Sequence, residues 1–257
     1  MNITEKQILN IKKIYPNNIG IYEPFNKGFV HNIYIVKDKD NNEFVCRFSS
    51  ENIAKHNSYV SKLLNSNGIK VPDVSLYNFG EEYCETYPFI KGKLLYERIQ
   101  EGISKDKMEN VYKQLFDISY KMAQIPYNFD KKIEIPLTAK VAIIFSKILN
   151  STTCALCHTD LHSKNIVLDN DDNVCALLDL DAILSESIAF VFINTLRDPY
   201  YYGYTIETLT PLCRPEYIKP RLFGIKTQTK LYSAVRVCAK KILGKAVIKQ
   251  LLKIKVK

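Results

Sequence analysis

The pattern of apolar and polar positions in the first 90 residues predicts a short helix, then strands interrupted by a second helix. An Asp- and Asn-rich run at 38–42 is typical of a tight turn, so the strands on either side of it belong to a β-meander. A Gly-Ile-Lys-Val-Pro turn then leads towards a last strand. The predicted helices are 4–14 and 53–65, and the predicted strands are 19–25, 32–37, 43–48 and 83–90.

Helical spacing dominates the next part of the chain, where apolar positions recur every three or four residues over 104–124. Such spacing puts them on one buried face of a helix. A second helix is predicted over 136–150. A strand-rich segment followed by a helix-rich one predicts an α+β fold. The apolar positions of the first of these helices are Met108, Val111, Leu115, Ile118 and Met122.

A β-hairpin is predicted between residues 166 and 178, where two short apolar runs flank five turn-forming residues at 169–173. Because a hairpin brings its outer ends side by side, Asn165 and Asp179 should lie together. Amide and carboxylate oxygens are hard ligands, and Mg²⁺ prefers one or two such groups together with substrate phosphates. Asp160, five residues before Asn165, is then placed to accept a proton from a hydroxyl group.

The order His-x-Asp-Leu-His-x-x-Asn, a hairpin and then Leu-Asp-x-Asp resembles the aminoglycoside phosphotransferase and choline kinase family. The resemblance implies a protein-kinase-like fold with a small β-rich lobe, a larger helical lobe and an ATP site between them. It also implies that Asp160 is the catalytic base, that Asn165 and Asp179 are Mg²⁺ ligands, and that His158 orients the catalytic loop. Asp181 matches the second acidic position and is a third candidate metal ligand. The motif covers about a tenth of the chain but fixes several residue types at several spacings.

Further residues match nucleotide-binding positions of that family. Gly28 and Asn32 fall in the loop expected over the ATP phosphates, although a plain hairpin turn fits this segment as well. Arg47 stands where kinases usually place a phosphate-binding lysine, and its guanidinium can grip phosphate. The alternative for Arg47 is a surface cation at a strand edge. Phe89 and Ile90 are candidate neighbours of the adenine by position, or simply part of the core.

The chain departs from the family pattern at two places. Asn57 stands where relatives carry a Glu that pairs with the phosphate-binding cation, and Glu51 is a possible substitute. The segment 183–188 replaces a small-residue turn and an Asp that starts a helix. These departures keep open a pseudokinase-like module that binds nucleotide without transferring phosphate.

Other chemistries were considered for the same motif. Cys154, Cys157 and His158 match the attachment pattern of c-type haem, but the N-terminal residues show no apolar export segment. We therefore interpret both cysteines as small apolar residues on a buried strand. A zinc site formed by His158, Asp160 and His162 would need a fourth ligand or water and supporting partners that the sequence does not identify.

Two further alternatives concern the hairpin turn. A calcium loop that starts at Asp169 is excluded, because Val174 occupies the position of the turn glycine and Leu180 that of the bidentate Glu. An ordinary hairpin with a polar turn remains possible, but it leaves the flanking His, Asp and Asn spacing unexplained.

Composition fits a small intracellular enzyme. The chain has 257 residues, of which 46% are hydrophobic, and no run of about 18 apolar residues that could span a membrane. Its seven cysteines are an odd number in apolar contexts, which favours a reducing compartment over a disulfide framework. We therefore expect a cytoplasmic protein with access to ATP.

Positive charge is concentrated at the C-terminus. Residues 217–257 hold 12 Lys or Arg and no Asp or Glu, so of the net charge of +9 they contribute +12 and the first 216 residues sum to −3. An amphipathic helix with a lysine row fits peripheral binding to an anionic membrane, or simple packing on the large lobe. Nucleic acid is a less favoured partner, because the segment has few aromatic residues for base stacking.

The sequence thus predicts three parts: an N-terminal lobe over 1–90, a catalytic lobe over 91–216 and a basic segment over 217–257. The predicted activity is Mg²⁺-dependent transfer of the ATP γ-phosphoryl group to a hydroxyl group of a small molecule. Amino alcohols such as choline or ethanolamine, and sugars of a surface glycan or its lipid-linked precursor, are the expected acceptors. A tyrosine-rich run at 198–204 is a candidate acceptor surface or ordinary half-buried aromatics. A membrane or nucleic-acid adaptor that works through the basic segment is the remaining alternative.

Overall fold

A computed structural model describes residues 4–22, 32–80, 82–129, 154–187 and 206–213. Strands dominate the N-terminal part, and helices with short strands follow. The helices are α1 (Glu5–Ile14), α2 (Glu51–Ser66), α3 (Leu95–Gln100), α4 (Lys105–Ala123) and α5 (Ile206–Leu209). The strands are β1 (Asn18–Tyr22), β2 (Asn32–Asp38), β3 (Glu43–Ser49), β4 (Ser75–Asn78), β5 (Tyr83–Pro88), β6 (Lys93–Leu94), β7 (Cys154–His158), β8 (Ile166–Leu168), β9 (Val174–Leu177) and β10 (Ile183–Ser187).

The N-terminal strands form a five-stranded antiparallel sheet in the order β1-β2-β3-β5-β4. Helix α1 covers it and begins with a capping box, in which Thr4 and Gln7 satisfy each other's backbone N–H groups. Ile11 of this helix is fully buried and belongs to one apolar cluster with residues of the sheet. The predicted meander is confirmed, and the helix packs on the sheet because both present an apolar face.

A larger core joins α2 to the elements that follow the sheet. Val60 and Leu64 of α2 are fully buried in the same cluster as Leu115 and Phe116 of α4 and Leu156 of β7. The apolar stripe predicted for α4 is confirmed, since all of its members are buried except the half-buried Ile118. Helix α2 therefore ties the sheet to the part of the molecule that carries the predicted catalytic residues.

The crossover at 91–93 brings the chain against the hairpin. Strand β6 pairs with β8, and Gly92 makes the close approach with a positive φ of 150°. A Cβ atom at Gly92 would lie 2.4 Å from the carbonyl oxygen of Leu168 and 2.7 Å from Cγ1 of Val167. Only glycine fits this position, so the crossover is fixed relative to the hairpin.

The segment after Asp181 forms strand β10, which pairs along its whole length with β7. Ile183 pairs with His158 and Ser187 with Cys154. The sequence departs from the family pattern here, and the structure shows the result: a two-stranded sheet braces the strand that leads into the catalytic loop.

The predicted hairpin of β8 and β9 is confirmed, with Ile166 opposite Leu177. Its turn holds Asp172, which has a positive φ of 64° and is only 1% exposed. The side chain of Asp172 accepts hydrogen bonds from Arg98 of α3 and Lys107 of α4. The acidic turn therefore anchors two helices.

Several predicted segments lie outside the described residues. They are the glycine loop with Gly28, the helix at 136–150, the tyrosine-rich run at 198–204 and the basic segment 217–257. The boundaries 1–90, 91–216 and 217–257 therefore stay a prediction. Within the described ranges, no helix has the length and apolar character needed to span a bilayer.

Candidate active site

His158 ends strand β7 and connects two parts of the site. Its Nε2 lies 2.8 Å from the carbonyl oxygen of Leu178, and its Nδ1 accepts a hydrogen bond of 3.2 Å from the backbone N–H of Asp160. Since Nδ1 is an acceptor, the ring proton is on Nε2 and donates to Leu178. The ring is 2% exposed, and burial lowers the pKa of His158. His158 is therefore a neutral link between the start of the catalytic loop and the end of the hairpin.

Asp160 and Asn165 lie at the two ends of the catalytic loop, which closes with a 3₁₀ turn at Ser163–Asn165. The Asn165 side chain donates from Nδ2 to the backbone oxygen of Asp160 at 2.9 Å. The carbonyl oxygen of Asn165 accepts a hydrogen bond of 2.9 Å from the N–H of Leu178. The loop is thus closed upon itself and attached to the hairpin, while the Asp160 side chain stays 41% exposed.

Asp179 follows directly after the hairpin in the left-handed region, at φ 64° and ψ 64°. A residue other than glycine rarely adopts this conformation, and such positions concentrate at functional sites. Burial and the neighbouring carboxylate of Asp181 raise the pKa of Asp179 well above its usual range, against the opposing effect of Arg47, and Asp160 adds to the rise. The carboxylates of Asp179 and Asp181 therefore lie close enough to repel each other, and a cation would relieve their repulsion.

Arg47 is the cation that faces these carboxylates from β3. Its Nη2 donates to Oδ2 of Asp181 at 2.9 Å, and its Nη1 lies 3.9 Å from Oδ1 of Asp179. Burial alone would lower the pKa of Arg47, but Asp181 and Glu85 outweigh it and raise the pKa. The interpretation of Arg47 as a surface cation is wrong, since the residue is 5% exposed and points into the site.

Glu85, which sequence analysis missed, is the acidic residue opposite Arg47 in the sheet, and it favours the charged form of Arg47 from beyond ion-pair distance. Glu85 pairs with Arg47 in the register of β3 and β5, and it is 1% exposed. Asn57 donates from Nδ2 to Oε2 of Glu85 at 2.8 Å, and Ser49 donates to Oε1 at 2.5 Å. Glu51 was the possible substitute for the missing helix carboxylate, but its side chain pairs with Lys55 on the surface of α2.

A signal for Glu85 was present in the sequence. It stands in the interior of a predicted strand, between Cys84 and Thr86, where a charged side chain needs a buried partner. The helix position where relatives carry a Glu holds Asn57 here. The amide of Asn57 donates a hydrogen bond to the carboxylate of Glu85.

The donor set fits Mg²⁺ better than zinc. Among the residues that the structure describes, no three His, Cys, Asp or Glu side chains are grouped as metal ligands. Mg²⁺ needs only one or two protein oxygens beside substrate phosphates, and Asn165 and Asp179 supply an amide and a carboxylate. Burial and the acidic neighbours raise the pKa of Asp179, and a divalent ion would stabilise its charged form. Cys157 is buried, as predicted for a small apolar residue on β7.

Four further residues were predicted to bind the nucleotide, and the structure describes the side chains of two of them, Phe89 and Ile90. Phe89 follows β5 with its side chain 40% exposed, and its N–H donates to the carbonyl oxygen of Glu43 at 2.8 Å. Ile90 is half-buried. Asn32 begins β2, but its side chain lies outside the described part, as does Gly28. Their contacts with a nucleotide stay a prediction.

Comparison with solved structures identifies the fold. The gentamicin complex of the aminoglycoside phosphotransferase APH(2")-IIa superposes with a TM-score of 0.67 over 99% of this chain and 98% of its own, at 10% identity. The ADP-bound APH(2'')-Ib gives 0.63 over 98% and 97%, also at 10% identity. The macrolide 2'-phosphotransferase MphH from Brachybacterium faecium gives 0.58 over 98% of both chains, at 12% identity.

The similarity lies in the structure and not in the overall sequence. No protein-family model matches the chain. No curated protein matches it either. The likeness to solved structures extends over nearly the whole length of both partners, and it confirms the two-lobed α+β architecture predicted from the motif. The chain thus has the protein-kinase-like fold of the aminoglycoside phosphotransferases.

Proposed function

We propose that this protein transfers the γ-phosphoryl group of a nucleoside triphosphate to a hydroxyl group of a small molecule. The observation that carries the proposal is the pair of carboxylates Asp179 and Asp181 opposite the buried Arg47, next to the loop that Asn165 closes on Asp160. A hydrogen-bonded loop and a hairpin end hold these groups, so their positions do not depend on a single contact. Catalysis of phosphoryl transfer rests mainly on such positioning and on electrostatics.

Each group has a role in this proposal. Asp160 accepts the proton of the acceptor hydroxyl as the oxygen attacks phosphorus. Arg47 binds phosphate oxygens with a charge that persists at every physiological pH. Asn165 and Asp179 would hold Mg²⁺, which neutralises charge on the phosphates when it is bound. Asp181 accepts a hydrogen bond from Arg47 and so orients the guanidinium group of Arg47 towards the nucleotide.

The acceptor class is proposed from the neighbours and from the charge of the chain. Solved structures of the same fold include complexes with gentamicin and streptomycin, which those proteins bind. Residues 1–216 carry a net charge of −3, and the acceptor side of the site displays the exposed carboxylate of Asp160. We therefore favour a cationic hydroxyl compound, an amino sugar or an amino alcohol such as choline or ethanolamine, over a neutral glycan.

The test is nucleoside diphosphate release from ATP or GTP with Mg²⁺ in the presence of single acceptors. The panel holds gentamicin, streptomycin, a macrolide, choline, ethanolamine and a neutral sugar. We expect one cationic acceptor to stimulate release at least tenfold in the wild type and not in Asp160→Asn. Nucleotide binding without acceptor-dependent release by any member would contradict the proposal.

One observation favours a nucleotide-binding module without transfer: Asn57 replaces the helix carboxylate of active relatives. Glu85 provides that carboxylate from β5, which weakens this second candidate. The two candidates differ in one result. The module would show Mg²⁺-dependent nucleotide binding and the same basal hydrolysis in the wild type and in Asp160→Asn.

Two proposals concern the setting of the reaction. We place the protein in the cytoplasm, where its free cysteines stay reduced and ATP is available.

We also propose that residues 217–257 associate with anionic membrane surfaces through their 12 cations. Sedimentation with vesicles of anionic and of zwitterionic lipid tests the second proposal, and equal binding to both would contradict it.

A further inference from the structure

We infer that His162 is a positioning residue of the proposed reaction, and that its imidazole Nε2–H fixes the orientation of the Asp160 carboxylate. His162 lies within the catalytic loop, two residues after Asp160. The sequence also allows His162 a place in a zinc site, but among the described residues no three metal-binding side chains are grouped. The inference rests on the proposed function, because it links His162 to Asp160, the proposed base of that reaction.

The geometry places the imidazole ring between the two ends of the loop. Nε2 of His162 lies 3.3 Å from Oδ2 of Asp160, and Nδ1 accepts a hydrogen bond of 3.1 Å from the N–H of Lys164. The His162 side chain is 16% exposed, whereas that of Asp160 is 41% exposed. The backbone therefore fixes the ring through Nδ1, while Nε2 lies next to the partly exposed carboxylate of Asp160.

The hydrogen bonds determine which ring nitrogen carries the proton. The backbone N–H of Lys164 can only donate, so Nδ1 of His162 must offer its lone pair. The proton is then on Nε2, the ring nitrogen that lies 3.3 Å from Oδ2 of Asp160. Nδ2 of Asn165 lies 3.5 Å from the same Nε2, and since both atoms are donors this approach is a contact without a hydrogen bond. One tautomer therefore satisfies all of the neighbours.

This contact limits rotation of the Asp160 carboxylate about its Cβ–Cγ bond. A general base must present a lone pair to the proton that it removes, within hydrogen-bond reach. His162 holds one oxygen of Asp160 and so directs the other. Loss of this restraint leaves nucleotide and acceptor binding in place but lowers the fraction of complexes with a correctly oriented base. Small misplacement of a reacting group costs up to about 100-fold in rate.

Three substitutions separate the donor at Nε2 from the acceptor at Nδ1. His162→Gln places an amide N–H₂ near the position of Nε2 and keeps the donor to Asp160. His162→Asn keeps an acceptor for the N–H of Lys164 but does not reach Asp160. His162→Leu removes both the donor and the acceptor and replaces the ring with an apolar side chain of similar size.

We expect kcat to fall about 10- to 100-fold in the Asn and Leu variants, with KM for nucleotide and acceptor within about threefold of the wild type. We expect the Gln variant to recover kcat to within about fivefold. Equal kcat in all four proteins would overturn the inference. So would a loss in KM alone, because a purely structural role or a role in substrate binding predicts that result.

A second measurement does not depend on turnover. Long-range ¹H–¹⁵N spectra of the imidazole groups report the tautomer of each histidine, and the chain has only four. We expect His162 to carry its proton on Nε2 and the Asp160→Asn variant to shift that signal, with the signal of His56 unchanged as an internal control. A proton on Nδ1, or no effect of Asp160→Asn, would overturn the inference even if no acceptor is found. Absence of transfer with this tautomer intact would instead count against the proposed function alone.

Discussion

Arg47 and Glu85 are opposite each other on neighbouring antiparallel strands, and both are buried. The helix that usually provides the carboxylate carries Asn57 here, whose amide hydrogen-bonds to Glu85. Because β3 and β5 belong to one sheet, the pair is fixed by strand register and does not require a movement of α2 to assemble. In the proposed function, Arg47 would therefore already be in position to meet the phosphates of a nucleotide.

Substitutions of the pair should differ in their effects on stability. Arg47→Met leaves Glu85, Asp179 and Asp181 without their cation, so we expect a loss of about 3–5 kcal/mol in the free energy of unfolding. Glu85→Gln leaves Arg47 with Asp181 and should lose only about 1–2 kcal/mol. Urea denaturation measures both values.

Glu51→Gln is the matched control for Glu85→Gln. Glu51 pairs with Lys55 on the exposed face of α2, where solvent screens the ion pair and its contribution to stability is small. We expect its stability and nucleotide binding to equal those of the wild type. A larger loss in Glu51→Gln than in Glu85→Gln would show that Glu51 is the partner after all.

The local hydrogen bonds of His158 imply a dependence of stability on pH. Burial lowers the pKa of His158 below its usual value of 6.5, so the folded protein binds fewer protons than the unfolded chain. This contribution to stability is present above about pH 6.5 and is lost as pH falls through the lower, folded-state pKa. Urea midpoints at pH 8 and pH 5.5 should show the loss.

His158→Phe is the test variant for that pH dependence. It leaves the carbonyl of Leu178 and the N–H of Asp160 without this partner, so it should be less stable than the wild type at pH 8 by about 1–3 kcal/mol. It should also lose less stability on acidification than the wild type does. An unchanged pH dependence would mean that the pKa of His158 is the same in the folded protein and in the unfolded chain. His56, whose pKa burial also lowers, accounts for any slope that remains.

Asp172 should provide acid-sensitive stability in a lower pH range. Hydrogen bonds from Arg98 and Lys107 lower its pKa from 3.8 to about 2, although burial opposes the shift. The stability that comes from this depressed pKa is present above about pH 4 and is lost as pH falls towards 2. Asp172→Asn should lose stability at pH 6 and should differ less from the wild type at pH 2.5, as measured by urea unfolding. An equal difference at both pH values would contradict the shifted pKa.

Local features of the site were predictable from the sequence. The hairpin follows from two short apolar runs around a polar turn, and it fixes Asn165 and Asp179 at neighbouring positions. Helix α4 follows from its spacing of apolar residues, because the period of a helix is visible within a few turns.

Long-range relationships were not predictable in the same way. The partnership of Arg47 with Glu85 depends on the register of two strands separated by helix α2, and no local pattern specifies that register. Strand β10 likewise pairs with β7, which precedes it by about one hairpin, so its short apolar run gave no sign of its partner. Buried charge is the sequence feature that deserved more weight, since Glu85 and Asp172 each hold several neighbours together.

Asp179 should destabilise the protein that has no ligand and should contribute to the binding of Mg²⁺ and nucleotide. Burial and Asp181 raise its pKa, so ionisation is less favourable in the folded state than in the unfolded chain. The sign is opposite to that of Asp172: this contribution favours folding at low pH and is lost as pH rises through the folded-state pKa. Asp179→Asn removes the charge, and Asn tolerates the left-handed backbone at least as well. Without ligand, the variant should therefore unfold at a higher temperature than the wild type at pH 7.

Addition of Mg²⁺ and nucleotide should reverse this order. A ligand at 100 times its Kd adds about 2.7 kcal/mol to the wild type, whereas Asp179→Asn loses a carboxylate ligand for the metal and should show little shift. Thermal unfolding of both proteins, with nucleotide alone and with Mg²⁺ added, measures the two effects separately. Asp171→Asn, in the exposed hairpin turn, is the control for loss of one acidic charge and should shift as the wild type does. A variant less stable than the wild type without ligand would contradict the raised pKa, and an undiminished Mg²⁺-dependent shift would remove Asp179 from the metal site.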